Sequence, residues 1–199
     1  MNECDLADRH RFLSNPTMQQ QQPQQQEQHH HQTAEQEVRA WPSTVQRVTG
    51  WSNLLKNVKV QTVDCDKGTV VCELLISDGA CERPRRRRRV CACSDTMRCA
   101  IDVCNPLGNL HGGCSATLID EISTLALQAL DKARRQGVSV SLTTDYLAAA
   151  PHGATVLIEG RCHKVGRTLA FTSAEIRDKH SGRVYVRGSH VKFVGVARL

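Results

Sequence analysis

The run from Cys114 to Ala129 constrains this chain more than any other stretch. It is rich in Ala, Leu and Ile, which predicts a long and largely buried helix. The residues ahead of it set how that helix begins. Asn105-Pro-Leu-Gly-Asn-Leu-His-Gly-Gly113 holds a tight turn at Pro106 and Gly108, then brings Gly112 and Gly113 into the first helical turn. Amides there have no intrahelical acceptor and sit at the positive end of the macrodipole. Without a Cβ, that backbone is open to close approach. Such an end suits a developing oxyanion, although glycine at a helix start can also answer a turn requirement alone. On the motif by itself both readings stand.

Asp120 lies eight residues beyond Gly112, on the order of 12 Å along one helix at about 1.5 Å per residue. The two groups therefore cannot act on one carbonyl from within one chain. If both are chemical, Asp120 comes from a second chain packed antiparallel to the first, and the chemistry predicts a dimer. A solvated Asp120–Glu121 pair is the weaker reading, because Leu118, Ile119, Ile122 and Leu125 place Asp120 among apolar positions where an unpaired charge is costly. Cys114 is a conceivable nucleophile, since helix N-termini acidify thiols. A small Cys running into a helix interior is more often packing.

Around this helix the chain reads as strands. Val58–Val63 and Thr69–Ile76 form a hairpin turning at Asp66-Lys67-Gly68. Val138–Tyr146 alternates apolar and hydroxyl residues, and Thr155–Cys162 follows the Pro151-His152-Gly153 turn. Leu169–Arg177 and Val184–Phe193 pair across a loop, Asp178–Arg183, with clear turn chemistry. Two strands, a buried helix and four antiparallel strands describe an α+β fold, a sheet wrapped around one long central helix. Before the hairpin, Val45, Val48, Trp51, Leu54 and Leu55 have helical spacing, which predicts an amphipathic helix over 42–55.

Composition bounds the rest. The 199 residues allow one ordinary domain with tails. Residues 1–40 read as a tail whose Gln/His tract at 19–32 has little to bury and is expected to be disordered. The domain is expected over 41–199. No apolar run is long enough to span a bilayer, and the N-terminal residues lack the patterns of a secretory or a strong mitochondrial leader. The ten cysteines are spread unevenly, so an intracellular, mostly reduced protein is expected, in the cytoplasm or at the mitochondrion.

An Arg/Cys-rich stretch at about 79–104 stands apart. Arg83 and Arg85 to Arg89 are six charges, equal to the formal net charge of +6, so the basic character belongs to this stretch and not to the domain. An arginine run can bind phosphates of nucleic acid or an anionic membrane, but no aromatics interleave it for base stacking. Cys81, Cys91, Cys93, Cys99 and Cys104 lack paired C-x-x-C knuckles, and neither they nor His29–His31 make a metal site expected. The stretch reads as a disordered loop of a composition foreign to both flanks, as translated intron would be.

The block Asn105–Leu127, followed by Gly137-Val-Ser-Val-Ser-Leu-Thr-Thr-Asp-Tyr146 and Lys164-Val-Gly-Arg-Thr-Leu-Ala-Phe-Thr-Ser-Ala-Glu175, resembles hotdog-fold acyl-CoA thioesterases. Within them it is most similar to the acyl-coenzyme A thioesterase 13 group, related to bacterial phenylacetyl-CoA thioesterases. The resemblance spans roughly 42–78 and 105–195. It implies that Asn105 and His111 line the thioester pocket, with His111 as a hydrogen-bond donor, and that the Gly112 amide is the oxyanion donor. It further implies that Asp120 activates the attacking water and Ser139 helps hold it. Gly137 and Tyr146 are implied at the substrate, and Lys164, Gly166, Arg167 and Thr168 at coenzyme A. Phosphates need such Lys and Arg groups near a backbone turn.

The implied reaction is general-base hydrolysis of fatty or aryl acyl-CoA by a homodimer or homotetramer, with no cofactor, no metal, no obligatory nucleic acid and no membrane span. Members of the group join the second strand to the Asn-containing turn by only a few polar residues. The insert at about 79–104 is a departure placed beside Asn105. Two other classes are weighed: a hotdog dehydratase or hydratase, which the Asn105, Asp120 and Ser139 set does not support, and a non-catalytic hotdog scaffold that binds nucleic acid or anionic membrane through the insert.

Overall fold

The computed structural model describes residues 31–41, 55, 57–77 and 103–195. Six strands form one antiparallel sheet: β1 Lys59–Asp64, β2 Thr69–Leu75, β3 Val138–Tyr146, β4 Thr155–Val165, β5 Leu169–Asp178 and β6 Val184–Phe193. Helix α1 spans 31–41, and α2, Gly112–Leu130, enters the chain between β2 and β3. The strand order is β1-β2-β4-β5-β6-β3, so the strand that follows α2 crosses the sheet to its far edge.

The predicted architecture holds, with ends moved by a residue or a few. The long helix starts two residues earlier than its apolar run because His111 caps it. The expected helix over 42–55, apart from Leu55, and most of the insert lie outside the described residues. One expectation is corrected: residues 31–40, read as part of a disordered tail, belong to α1. Ala34 and Val38 recur at an i, i+4 spacing and are buried, while Glu37 pairs with Arg134 beyond the far end of α2.

The inner face of the sheet holds α2. Leu118, Ile119, Ile122, Leu125 and Leu127 are fully buried against Val70, Cys72, Leu74, Val156, Ile158 and Ile176. Each such side chain contributes roughly 1.5–3 kcal/mol of hydrophobic stabilisation. Close approach of the helix is a matter of small residues in register. Gly160 of β4 pairs with Ala174 of β5, which pairs with Gly188 of β6, so a side-chain-poor stripe crosses three strands under the helix. A Cβ at Gly160 would lie 2.4 Å from the Ile122 carbonyl oxygen, and one at Gly188 would lie 2.5 Å from Ile119 Cγ2.

Strand β3 is different. It is paired only with β6, and eight of its nine residues are exposed. Val138 and Val140 are 70% and 60% exposed, and Leu142 is also open to solvent. An edge strand this long and apolar in a single chain is a ready template for pairing. Its alternating sequence predicts one covered face, which the chain alone does not supply.

Candidate active site

The loop before α2 is organised by Asn105. Its Oδ1 accepts from the amides of Leu107 and Asn109, at 3.0 and 3.1 Å, while its own amide donates to the Asn109 carbonyl at 2.7 Å. This Asx-type closure sets the chain's approach to the helix. His111 is the N-cap, with φ −64° and ψ 135°, and its Nδ1 accepts from the Gly113 amide at 3.0 Å. With Nδ1 accepting, a ring proton would sit on Nε2, which faces away from the cap.

The Gly112 amide has no acceptor among the described residues, whereas the Gly112 carbonyl accepts from the Tyr146 hydroxyl at 2.9 Å. Tyr146, at the end of β3, thereby lies against the helix terminus. Gly137, at φ +66°, packs so closely before β3 that a Cβ would sit 2.7 Å from the Phe193 carbonyl oxygen. Its place is explained by the backbone turn.

Two turns along α2, Asp120 joins a polar cluster that sequence reasoning caught only in part. Its Oδ1 is 3.6 Å from His190 Nδ1 and 3.8 Å from Lys192 Nζ, and the side chain is 40% exposed. His190 of β6 is completely buried, with Nδ1 2.9 Å from Ser123 Oγ and Nε2 2.9 Å from Ser139 Oγ. The Ser123 hydroxyl donates to the Asp120 carbonyl, so its oxygen accepts from His190 Nδ1–H. The Nε2 lone pair then accepts the hydrogen bond of the Ser139 hydroxyl, leaving Ser139 Oγ free to accept from a further group. Burial and the Lys192 charge push His190 below the usual imidazole range against the pull of Asp120, which keeps this ring neutral. A bulge between Ser139 and Ser141 accompanies this aim of Ser139 into the cluster.

His190, Lys192, Ser123 and Thr124 were missed from sequence. A signal for the two β6 residues exists. In Val184–Phe193 the inward register positions Val186, Gly188, His190 and Lys192 become polar at one end, an anomaly for a buried face.

Cys114 is not suited to be a nucleophile. Burial, with Cys104 nearby, pushes its thiol up to about 11, so it is protonated at neutral pH.

The expected coenzyme A residues lie together at the end of β4 and in the β4–β5 turn. Lys164, Arg167 and Thr168 are exposed, the Gly166 amide bonds to the Leu169 carbonyl at 2.8 Å, and the Thr168 carbonyl receives the Val194 amide at 2.8 Å. By register, Leu169 faces Phe193 and Thr172 faces His190, which puts this turn about 10 Å along the sheet from the imidazole. The concavity beside α1 lies elsewhere. About 680 Å³ between α1 and the β1–β2 turn is lined by residues including His31, Glu35, Asp64, Cys65 and Arg161, and by none of the candidate residues. The Asp120 and Gly112 ends stay eight helical residues apart within one chain.

An antiparallel sheet closed around one long helix, with an acid on that helix and a glycine-led terminus, defines the hotdog fold of thioester hydrolases. Residues 107–185 match the Thioesterase superfamily. Human acyl-coenzyme A thioesterase 13 is 31% identical over 137 residues, covering 69% of this chain and 81% of that protein. The mouse protein of the same name is 41% identical over 91 residues, covering 46% and 64%. Zebra fish thioesterase superfamily member 2 has a crystal structure that superposes with a TM-score of 0.64 at 30% identity, over 79% of this chain and 96% of that one. The chain belongs to the thioesterase superfamily, in the group of acyl-coenzyme A thioesterase 13.

Proposed function

We propose that the protein hydrolyses fatty or aryl acyl-CoA to the free acid and coenzyme A by general-base activation of water, in a site shared between two chains. The observation that carries this reading is the Asp120 carboxylate beside a neutral His190 that presents Ser139. A water donating one proton to Asp120 and the other to Ser139 Oγ keeps an oxygen lone pair for attack on the thioester carbon. As the tetrahedral centre forms, the free Gly112 amide of the other chain receives the developing oxyanion, while His111 Nε2–H and Asn105 border the carbonyl. Asp120 takes the water's proton as the C–O bond forms, collapse breaks the C–S bond, and the departing coenzyme A thiolate takes up that proton, with Lys164 and Arg167 holding its phosphates.

The dimer pairs along β3, whose exposed apolar edge needs covering, and two such dimers form the tetramer expected of the group. We place the protein in the cytoplasm or at the mitochondrion, where its buried Cys72, Cys114 and Cys162 thiols stay reduced. No helix among the described residues is long and apolar enough to cross a membrane.

The shared site is tested by mixing two inactive variants. Gly112→Pro removes one amide at the first helical position, where proline is tolerated, and His111 already has the extended backbone that proline demands of its predecessor. Asp120→Asn removes the base. After unfolding and refolding together, a mixed dimer has one site free of both changes, so an equal mixture is expected to recover about a quarter of wild-type turnover. Recovery is read as coenzyme A release over acyl-CoAs of graded length, with light scattering on the same samples. No recovery from a mixture that forms dimers sinks the shared site.

A further inference from the structure

Lys192 is hard to explain as a packing residue. Its side chain is 7% exposed, and an ammonium is costly to bury unless a counter-charge faces it. Its hydrogen bond goes to a neutral hydroxyl, Thr124 Oγ1 at 2.8 Å, and Thr124 in turn donates to the Asp120 carbonyl at 2.7 Å. The facing carboxylate is Asp120, whose Oδ1 at 3.8 Å is in ion-pair range but beyond a hydrogen bond. We propose that Lys192 is a positioning residue for hydrolysis, a buried cation set against the Asp120 carboxylate to aim it, while Thr124 fixes the lysine in place. The proposal rests on the general-base reading above.

The groups facing the ammonium make its role specific. Helix α2 contributes Asp120 and Glu121, adjacent acids of like charge, and β6 contributes His190, which is neutral. Glu121 is raised by burial and by Asp120, and Lys192 acts against both. Lys192 itself is lowered by burial and pulled back by Asp120 and Glu121, as expected of a cation sited between two carboxylates. Without it, two neighbouring acids share a half-buried site with no cation from α2 or β6, and the site takes up a proton at higher pH.

The test is the pH profile of kcat/KM for Lys192→Met, Lys192→Gln and Lys192→Arg. Gln keeps a donor for Thr124 without the charge, so it separates lost charge from lost packing. Both neutral variants are expected to move the acid limb up by about one pH unit or more and to approach wild-type rates on the alkaline plateau. Arg is expected to leave the limb in place. A uniform loss at every pH, or an Arg limb displaced as far as the Gln limb, overturns the proposal. Asp120→Asn is measured alongside: if it still hydrolyses at the wild-type rate, the general-base reading itself fails. If it is inactive and the Lys192 limbs do not move, only the role of Lys192 falls.

Discussion

Replacing Asp120 by Asn is expected to lower kcat/KM for acyl-CoA hydrolysis by about two to four orders of magnitude, the range a positioned general base supplies. Asn keeps the size and most of the hydrogen bonding of the carboxylate but cannot take a proton from water. The surrounding cluster tolerates the change sterically, because the Asp120 side chain is 40% exposed and its carboxylate stands 3.6 and 3.8 Å from His190 and Lys192. Folding is expected to persist, so the loss appears in turnover and not in circular dichroism. A variant with wild-type turnover would remove Asp120 from the chemistry. Ser139 and His190 would then be left as a purely structural bridge.

The largest effect on stability is expected from Gly160→Ala. The added methyl meets a main-chain carbonyl at 2.4 Å, and that carbonyl belongs to Ile122 in the middle of α2. Main chain in a helix cannot rotate aside, so α2 has to lift from β4 or the strand has to bend. Overpacking of this kind costs about 3 kcal/mol, a fall in Tm of roughly 10 °C for a domain of this size. Gly188→Ala is the comparison, since its closest contact is the Ile119 side-chain methyl, which can turn, although the Thr143 carbonyl lies 2.9 Å away. It is expected to cost less. Thermal melts of the two variants decide the matter, and an unchanged Tm for Gly160→Ala would mean that the helix does not ride on the glycine stripe.

The sequence made the frame of the fold readable because each element carries a strong local pattern. The α2 run, the Asp66-Lys67-Gly68 turn and the Asp178–Arg183 loop each left little choice of structure. What stayed hidden depends on long-range register. His190 and Lys192 look like ordinary polar members of an alternating strand until the pairing Leu142–His190 and Thr172–His190 shows which face they occupy. The N-cap was unreadable for another reason: His is not among the usual capping residues, so His111 gave no boundary signal of its own. Helix α1 was lost inside a Gln-rich stretch, where glutamine's good helix propensity is masked by low complexity and the apolar contacts rest on Ala34, Val38 and the half-buried Trp41. For Asp120, apolar neighbours on one helix face were enough to mark the acid, but not to reveal the lysine that accompanies it.

The bridge from Ser123 through the His190 ring to Ser139 ties the middle of α2 to the outermost strand of the sheet. Peripheral strands are the first to peel away when a domain is warmed. Here, fraying β3 also withdraws Ser139 from the imidazole, so losing the rim of the sheet and disarming the reaction centre are one event. In the proposed dimer the partner covers β3, so heat inactivation is expected to follow separation of the two chains, ahead of the collapse of the helix-filled interior.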